Sequence, residues 1–208
     1  MHIKSLSLGP LGTNCYIIYN DTEALVIDPG GDAEQVIHFL TETKVKPLAI
    51  LLTHAHFDHI GGVEELRNHY NVNVYVHQME ADWLDNPHLN GSTLFMGGEI
   101  VTSKAEKHFE HGPLQFNNFS FEVIHTPGHS PGSVSFVFQD QKFAVSGDVL
   151  FYGGIGRTDL PGGDIKQLEQ SIKHSLYSLP ETFKIYPGHG PETTIGQEKR
   201  QNPFFPSN

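Results

Sequence analysis

The sequence predicts an α/β fold in which two mixed sheets pack face to face with helices outside, a four-layer αββα arrangement. Three observations carry that reading. Short apolar stretches of strand length fill two separate parts of the 208-residue chain, apolar residues at helical spacing follow in each part, and 21 Gly and 13 Pro punctuate the whole length with turns. A chain of this size suits one domain, 1–208, with a sizeable core and no linker, repeat or low-complexity segment.

The first 28 residues hold three apolar stretches, Ile3 to Leu8, Cys15 to Tyr19 and Ala24 to Ile27. Turn-forming residues separate them, so they read as successive antiparallel strands. After Asp28-Pro29-Gly30-Gly31, Asp32 precedes Gln35 by three positions in capping-box fashion, and Val36, Ile37 and Leu40 continue a helix. Pro47 to Leu52 reads as a buried strand ending at Thr53, and Val63, Leu66 and Tyr70 as a second helix. The histidine-rich segment between them therefore lies in a strand-to-helix loop. A brief strand, Val72 to Val76, leads into a long connection, Pro87 to Gly98, that would border a site or form plain surface. Phe119 to His125, Ser133 to Phe138 and Lys142 to Ser146 are further strands, each ending in a Gly-containing loop. Asp164 is placed to cap a helix carrying Ile165, Leu168, Ile172, Leu176 and Leu179, which stops at Pro180. Phe183 to Tyr186 is a last strand, running into Pro187-Gly188-His189.

Composition narrows the function. The net charge is −11 and no basic run exceeds Lys199-Arg200, which argues against nucleic acid as a partner. No signal-type apolar region follows Met1 and no apolar run could span a bilayer, so a cytoplasmic protein without a membrane partner is expected. The lone Cys15 excludes an intrachain disulfide, fits a reducing compartment and reads as a small buried residue. What stands out is 14 histidines.

Four of the candidate ligands fall within six positions, in Thr53-His54-Ala55-His56-Phe57-Asp58-His59. Imidazole and carboxylate together suit zinc, iron or manganese better than calcium or magnesium. In extended chain His54 and His56 share a side and can hold one ion, while Asp58 and His59, after a bend, address another. His129, Asp148 and His189 each follow an apolar strand and have glycine beside them, which lets backbone come close to a crowded ion. The remaining nine histidines lack such a context and are assigned to surface or satisfied core positions.

With this loop followed by a single His, a single Asp and a last His in that order, the sequence resembles the metallo-β-lactamase superfamily over nearly its whole length. That resemblance implies the αββα sandwich and two divalent metal ions, zinc foremost with iron or manganese also suited. It assigns His54, His56 and His129 to one ion, Asp58, His59 and His189 to the second, and Asp148 as the bridge. Gly156-Arg157-Thr158-Asp159, and Gly190-Pro191-Glu192-Thr193-Thr194-Ile195-Gly196 running on to Asn202-Pro203-Phe204, look most like the short glyoxalase II-like (hydroxyacylglutathione hydrolase-like) hydrolases. Full-length glyoxalase II carries a further glutathione-gripping helical domain and a Tyr soon after the last metal His. No such appended domain is expected here, and Gly190-Pro191 follow His189 instead.

The chemistry so implied is hydrolysis of a small-molecule thioester, such as an S-acylglutathione or one of a related carrier, by a metal-bridging hydroxide that Asp58 also orients. A thiolate leaves without the general acid an amine would need. Arg157 could pair with a carboxylate of the carrier or close an internal ion pair with Asp159 or Asp164; the sequence leaves both open. The competing reading is a persulfide (sulfur) dioxygenase with a single iron in the same fold. A nuclease would need a basic surface, and a purely structural role would not keep seven ligand-type residues.

Overall fold

The computed structural model describes residues 1–206 and divides the chain into two compact units, 1–109 and Glu110 onward. In the first unit β1 (His2–Leu8), β2 (Thr13–Tyr19) and β3 (Glu23–Ile27) form the antiparallel meander expected from the sequence. β4 (Lys46–Leu51), β5 (Asn73–His77) and β6 (Lys107–Phe109) then add in parallel, giving a six-stranded mixed sheet in the order β1 to β6. Helices α1 (Ala33–Thr43) and α3 (Val63–Tyr70) lay Val36, Leu40, Val63 and Leu66 onto a core that includes Ile17, Val26, Ile50 and Val74. A one-turn helix α2 (Phe57–Ile60) holds the second half of the histidine-rich segment.

Asp32 begins α1 differently from the capping box the sequence suggests. It sits in the left-handed region at φ 41°, makes no side-chain cap, and turns its carboxylate to accept the Gly9 amide at 2.9 Å. The residue thus ties the β1–β2 turn to the start of the helix, a long-range use that local spacing cannot reveal.

The second unit holds β7 (Gly112–Phe116), β8 (Phe119–His125), β9 (Val134–Phe138), β10 (Phe143–Gly147), β13 (Lys184–Pro187) and β14 (Thr193–Thr194). Their order is β14-β13-β10-β9-β8-β7, with β10 and β13 parallel and every other pair antiparallel. β11 (Leu150–Phe151) and β12 (Gly154–Ile155) form a small separate ribbon. Asp164 caps α5 (Ile165–Gln170) as the sequence predicts, its carboxylate accepting the amides of Lys166 and Gln167 at 2.8 and 3.1 Å. The helix then widens into a π-helical stretch, Ser171–Leu176. Leu168, Ile172, Leu176 and Leu179 are buried against Val137, Ala144 and Ile185, whereas Ile165, the first residue of the expected stripe, is 47% exposed. The last helix, α6 (Ile195–Gln201), and β14 were not apparent from the sequence.

Two features of this layout place functional side chains. Within the first unit the parallel strands β3 and β4 end together, Ile27 opposite Leu51, so Asp28 lies beside the histidine-rich segment. In the second, the parallel pair β10 and β13 ends with Gly147 opposite Pro187, which sets Asp148 beside Gly188-His189. Loops at the carboxyl ends of parallel strands are where side chains from separate parts of a chain most readily meet. No helix among the described residues is long and apolar enough to cross a membrane. Cys15 is wholly buried and burial raises its thiol well above the ordinary range, so it is a packing residue.

Candidate metal centre

In the first unit His54, His56, Asp58 and His59 are all buried. The imidazole of His54 lies 4.0 Å from that of His59 and 4.8 Å from that of His56, centroid to centroid. Asp28, overlooked in the sequence as part of a turn, organises this group. Its carboxylate accepts the Thr53 amide at 2.7 Å and the Thr53 hydroxyl at 2.6 Å. The Thr53 hydroxyl also lies 3.1 Å from His54 Nδ1. His59 Nδ1 lies 3.0 Å from Asp28 Oδ2; it meets the distance of an ion pair but not the angle of a well-formed hydrogen bond, so we read it as an electrostatic tether. It leaves Nε2 of His59 on the side of Asp58, 3.6 Å from Oδ2. Thr13 donates to that same Asp58 oxygen at 2.8 Å. Glu80, completely buried, accepts the Ala55 amide at 2.6 Å, and Trp83 on the same 3₁₀ turn faces His56 at 5.6 Å.

In the second unit His129 Nδ1 hydrogen-bonds the carbonyl of Arg157 at 2.8 Å, which makes Nδ1 the protonated nitrogen and turns Nε2 toward Asp148. Asp148 Oδ2 lies 3.7 Å from His129 Nε2 and 3.5 Å from His189 Nε2. The His129 loop is seated on the helix: the Asp164 amide donates to Gly128 at 2.8 Å and Ser171 Oγ donates to Pro127 at 2.7 Å.

These separations fit a metal. Ligand atoms bound at about 2.0–2.1 Å in tetrahedral array lie roughly 3.3–3.4 Å from one another. The 3.5–3.7 Å between imidazole nitrogen and carboxylate oxygen in both units is too long for a hydrogen bond and close to that spacing. Imidazoles oriented through their second nitrogen are the usual form of such ligands. The residues singled out in the sequence thus gather within each unit, His54, His56, Asp58 and His59 in the first and His129, Asp148 and His189 in the second. Asp28, Thr13 and Glu80 escaped sequence reading because they act from elsewhere in the chain, and Thr53, though next to His54, reads in sequence only as the end of a strand.

Arg157 has its guanidinium in a two-pronged ion pair with Asp159, Nε to Oδ1 and Nη2 to Oδ2 both at 2.7 Å, and this holds the Asp159 carboxyl down at about 2. Asp164, its other candidate partner, is the helix cap. The contribution of Arg157 to the His129 geometry comes through its backbone carbonyl. Arg157→Ala should accordingly keep the wild-type metal content, measured by elemental analysis; loss of metal would mean that the ion pair shapes the loop.

Two glycines let backbone close directly on the candidate carboxylate ligands. A Cβ on Gly30 would overlap the carbonyl oxygen of Asp58, and one on Gly156 that of Asp148. Gly30→Ala and Gly156→Ala should each cost about 1–3 kcal/mol of stability and lower metal content. Thermal melts with metal counting check this, and wild-type values would show that the backbone yields without moving the ligand.

Imidazoles and carboxylates gathered at strand ends, most of them buried and several at ligand spacing, are the mark of a metal-dependent enzyme. The chain belongs to the metallo-beta-lactamase superfamily, whose family model matches residues 8–189. It is 45% identical to the probable metallo-hydrolase YqgX of Bacillus subtilis, over 99% of this chain and 98% of that protein. It is 39% identical to the hydroxyacylglutathione hydrolase GloC of Haemophilus influenzae, over 100% and 99%. Among solved structures it matches the BLEG-1 B3 metallo-beta-lactamase with TM-score 0.96 and 50% identity, over 98% of this chain and 99% of that one. It also matches TTHA1623 in a di-iron-bound form, with TM-score 0.86 and 40% identity, over 97% and 100%. The α/β fold with two mixed sheets and helices is thus the metallo-β-lactamase sandwich fold.

Proposed function

We propose that this metal-dependent hydrolase cleaves thioesters of a small thiol, using two divalent ions. One would be held by His54, His56 and His129, the other by Asp58, His59 and His189, with Asp148 shared. The observation that carries the reading is the spacing of imidazole to carboxylate in both units, 3.5–3.7 Å around Asp148 and 3.6 Å at Asp58. The full-length likeness to a protein named for hydroxyacylglutathione hydrolysis supports the substrate class.

When bound, such a metal pair supplies a nucleophile from water at neutral pH and polarises the substrate carbonyl. The chain's own part is orientation. Thr13 fixes one oxygen of Asp58, holding the carboxylate in position to aim the attacking water. Asp28 and the Arg157 carbonyl keep His59 and His129 in one orientation. A leaving thiolate, whose parent pKa is about 8.5, departs without a general acid. Zinc is the ion the donor set fits best, and the di-iron form of TTHA1623 makes iron the second to test.

The test is a panel of thioesters assayed on protein whose metals have been counted, beside a chromogenic β-lactam and an oxygen-consumption assay with a persulfide. Turnover of thioesters by protein with two metals supports the reading. Fully loaded protein that leaves every thioester intact, or consumes oxygen with one iron per chain, overturns it. Hydrolysis should also decline below about pH 6, because protons compete with metal for imidazole. A rate that stays flat to pH 5 with metals retained would count against a metal-dependent nucleophile.

A further inference from the structure

We propose that Leu94, Phe95 and Met96 form an apolar subsite for the acyl group of the substrate, so that the preferred thioesters carry aliphatic or aromatic acyl chains; this rests on the thioester reading above. In a chain with 24 acidic and 13 basic residues, positions 86 to 98 contain none of either. The ends of this segment are clamped. Asn90, fully buried, donates its amide to the carbonyls of Trp83 and Ile100 at 3.2 and 2.8 Å and accepts the Ser92 amide at 3.0 Å. Ser92 Oγ accepts the Ile100 amide at 3.1 Å. Between the clamps a short helix α4 (Ser92–Phe95) and Met96 present large apolar side chains, with Leu94 61%, Phe95 46% and Met96 39% exposed.

The segment is joined to the ligand loop of the same unit. The amide of Phe57, the residue between His56 and Asp58, donates to the Asn90 carbonyl at 3.0 Å. The Phe95 ring stacks on the buried Phe57 ring, centroids 5.9 Å apart and planes inclined at 21°. An apolar tip that costs exposure to water, lacks any charge and rests on the residue between two candidate ligands is suited to a neutral group reacting at that loop. It offers nothing to an anionic thiol carrier, which leaves the acyl side of the substrate as its occupant.

The experiment measures kcat/KM for thioesters of one small neutral thiol with acetyl to hexanoyl chains. In parallel, calorimetry follows binding of the matching free carboxylates to metal-loaded protein, which needs no turnover. The wild type should gain about fourfold per methylene in both series, the factor that burying one methylene confers. The double variant Leu94→Ser with Met96→Ser should gain less than about 1.5-fold per methylene, while Met79→Ser, a change to an exposed apolar residue outside the segment, keeps the wild-type slope. Carboxylates binding with the expected slope, but with no thioester hydrolysed, would retain the subsite and overturn only the thioester reading. Thioesters hydrolysed at rates indifferent to chain length would overturn the subsite alone. So would a double variant with an unchanged slope and an altered sedimentation profile, which assigns the patch to a second copy of the chain.

Discussion

Asp148→Ala is expected to leave less than one metal per chain and to lower kcat/KM by more than about 100-fold, the upper end of what losing a mere supporting partner of a ligand costs. The carboxylate stands between His129 and His189, 3.7 and 3.5 Å from their Nε2 atoms. Its negative charge, 8% exposed, would serve both ions in the proposed centre and offset the repulsion of two cations in a small volume. In that proposed centre, removing one imidazole would take a neutral ligand from one ion, whereas removing Asp148 would take charge from both. His129→Ala and His189→Ala should therefore retain more metal than Asp148→Ala under the same dialysis. Elemental analysis of the three proteins decides the matter, and two metals per chain in Asp148→Ala would remove it from the bridging position.

The candidate ligands were legible in the sequence because the chain concentrates them: three imidazoles and a carboxylate within six positions, then one residue at each of three glycine-flanked strand ends. What orients them was not. Asp28 reaches Thr53 across 25 positions and Thr13 reaches Asp58 across 45, joined only once β2, β3 and β4 lie side by side. In sequence, Asp28-Pro29-Gly30-Gly31 has only the marks of a turn and Asp32 only those of a helix cap, so the bond from the Gly9 amide to Asp32 is equally hidden. Strands with apolar runs, β2, β9 and β10, were read close to their observed limits, since burial along a strand writes itself into composition. β6, β7 and β14 were missed because short edge strands are held by backbone pairing, which needs no side-chain pattern. The π-helical stretch after α5 is equally silent: Leu168, Ile172 and Leu176 stay on one buried face whether or not the turn between them widens. The apolar tip at Leu94 was visible as a long connection, and only its packing on Phe57 ties it to the ligand loop.

Asp28 allows the sharpest separation of scaffold from site. It is 1% exposed and holds φ at 49°, a left-handed conformation that costs most residues energy and that, glycine apart, Asn and Asp tolerate best. Asp28→Ala strips an acceptor from the Thr53 amide and hydroxyl and the anion from beside His59 Nδ1, all buried, and should cost about 3–5 kcal/mol. That variant tests folding more than binding. Asp28→Asn tests binding, because Asn keeps the shape, tolerates the same φ and still offers Oδ1 to the Thr53 amide. Its NH₂ group, however, would face His59 Nδ1 as a donor, which favours the tautomer with the proton on Nε2, the nitrogen that lies 3.6 Å from Asp58. A protonated Nε2 cannot be a ligand. Asp28→Asn should therefore melt within a few degrees of the metal-free wild type yet bind metal about 10–100-fold more weakly. Melts of the metal-free proteins, set beside competition with a chelator, supply the two numbers. Wild-type metal affinity in a folded Asp28→Asn protein would show that His59 takes its orientation from packing and owes nothing to the carboxylate.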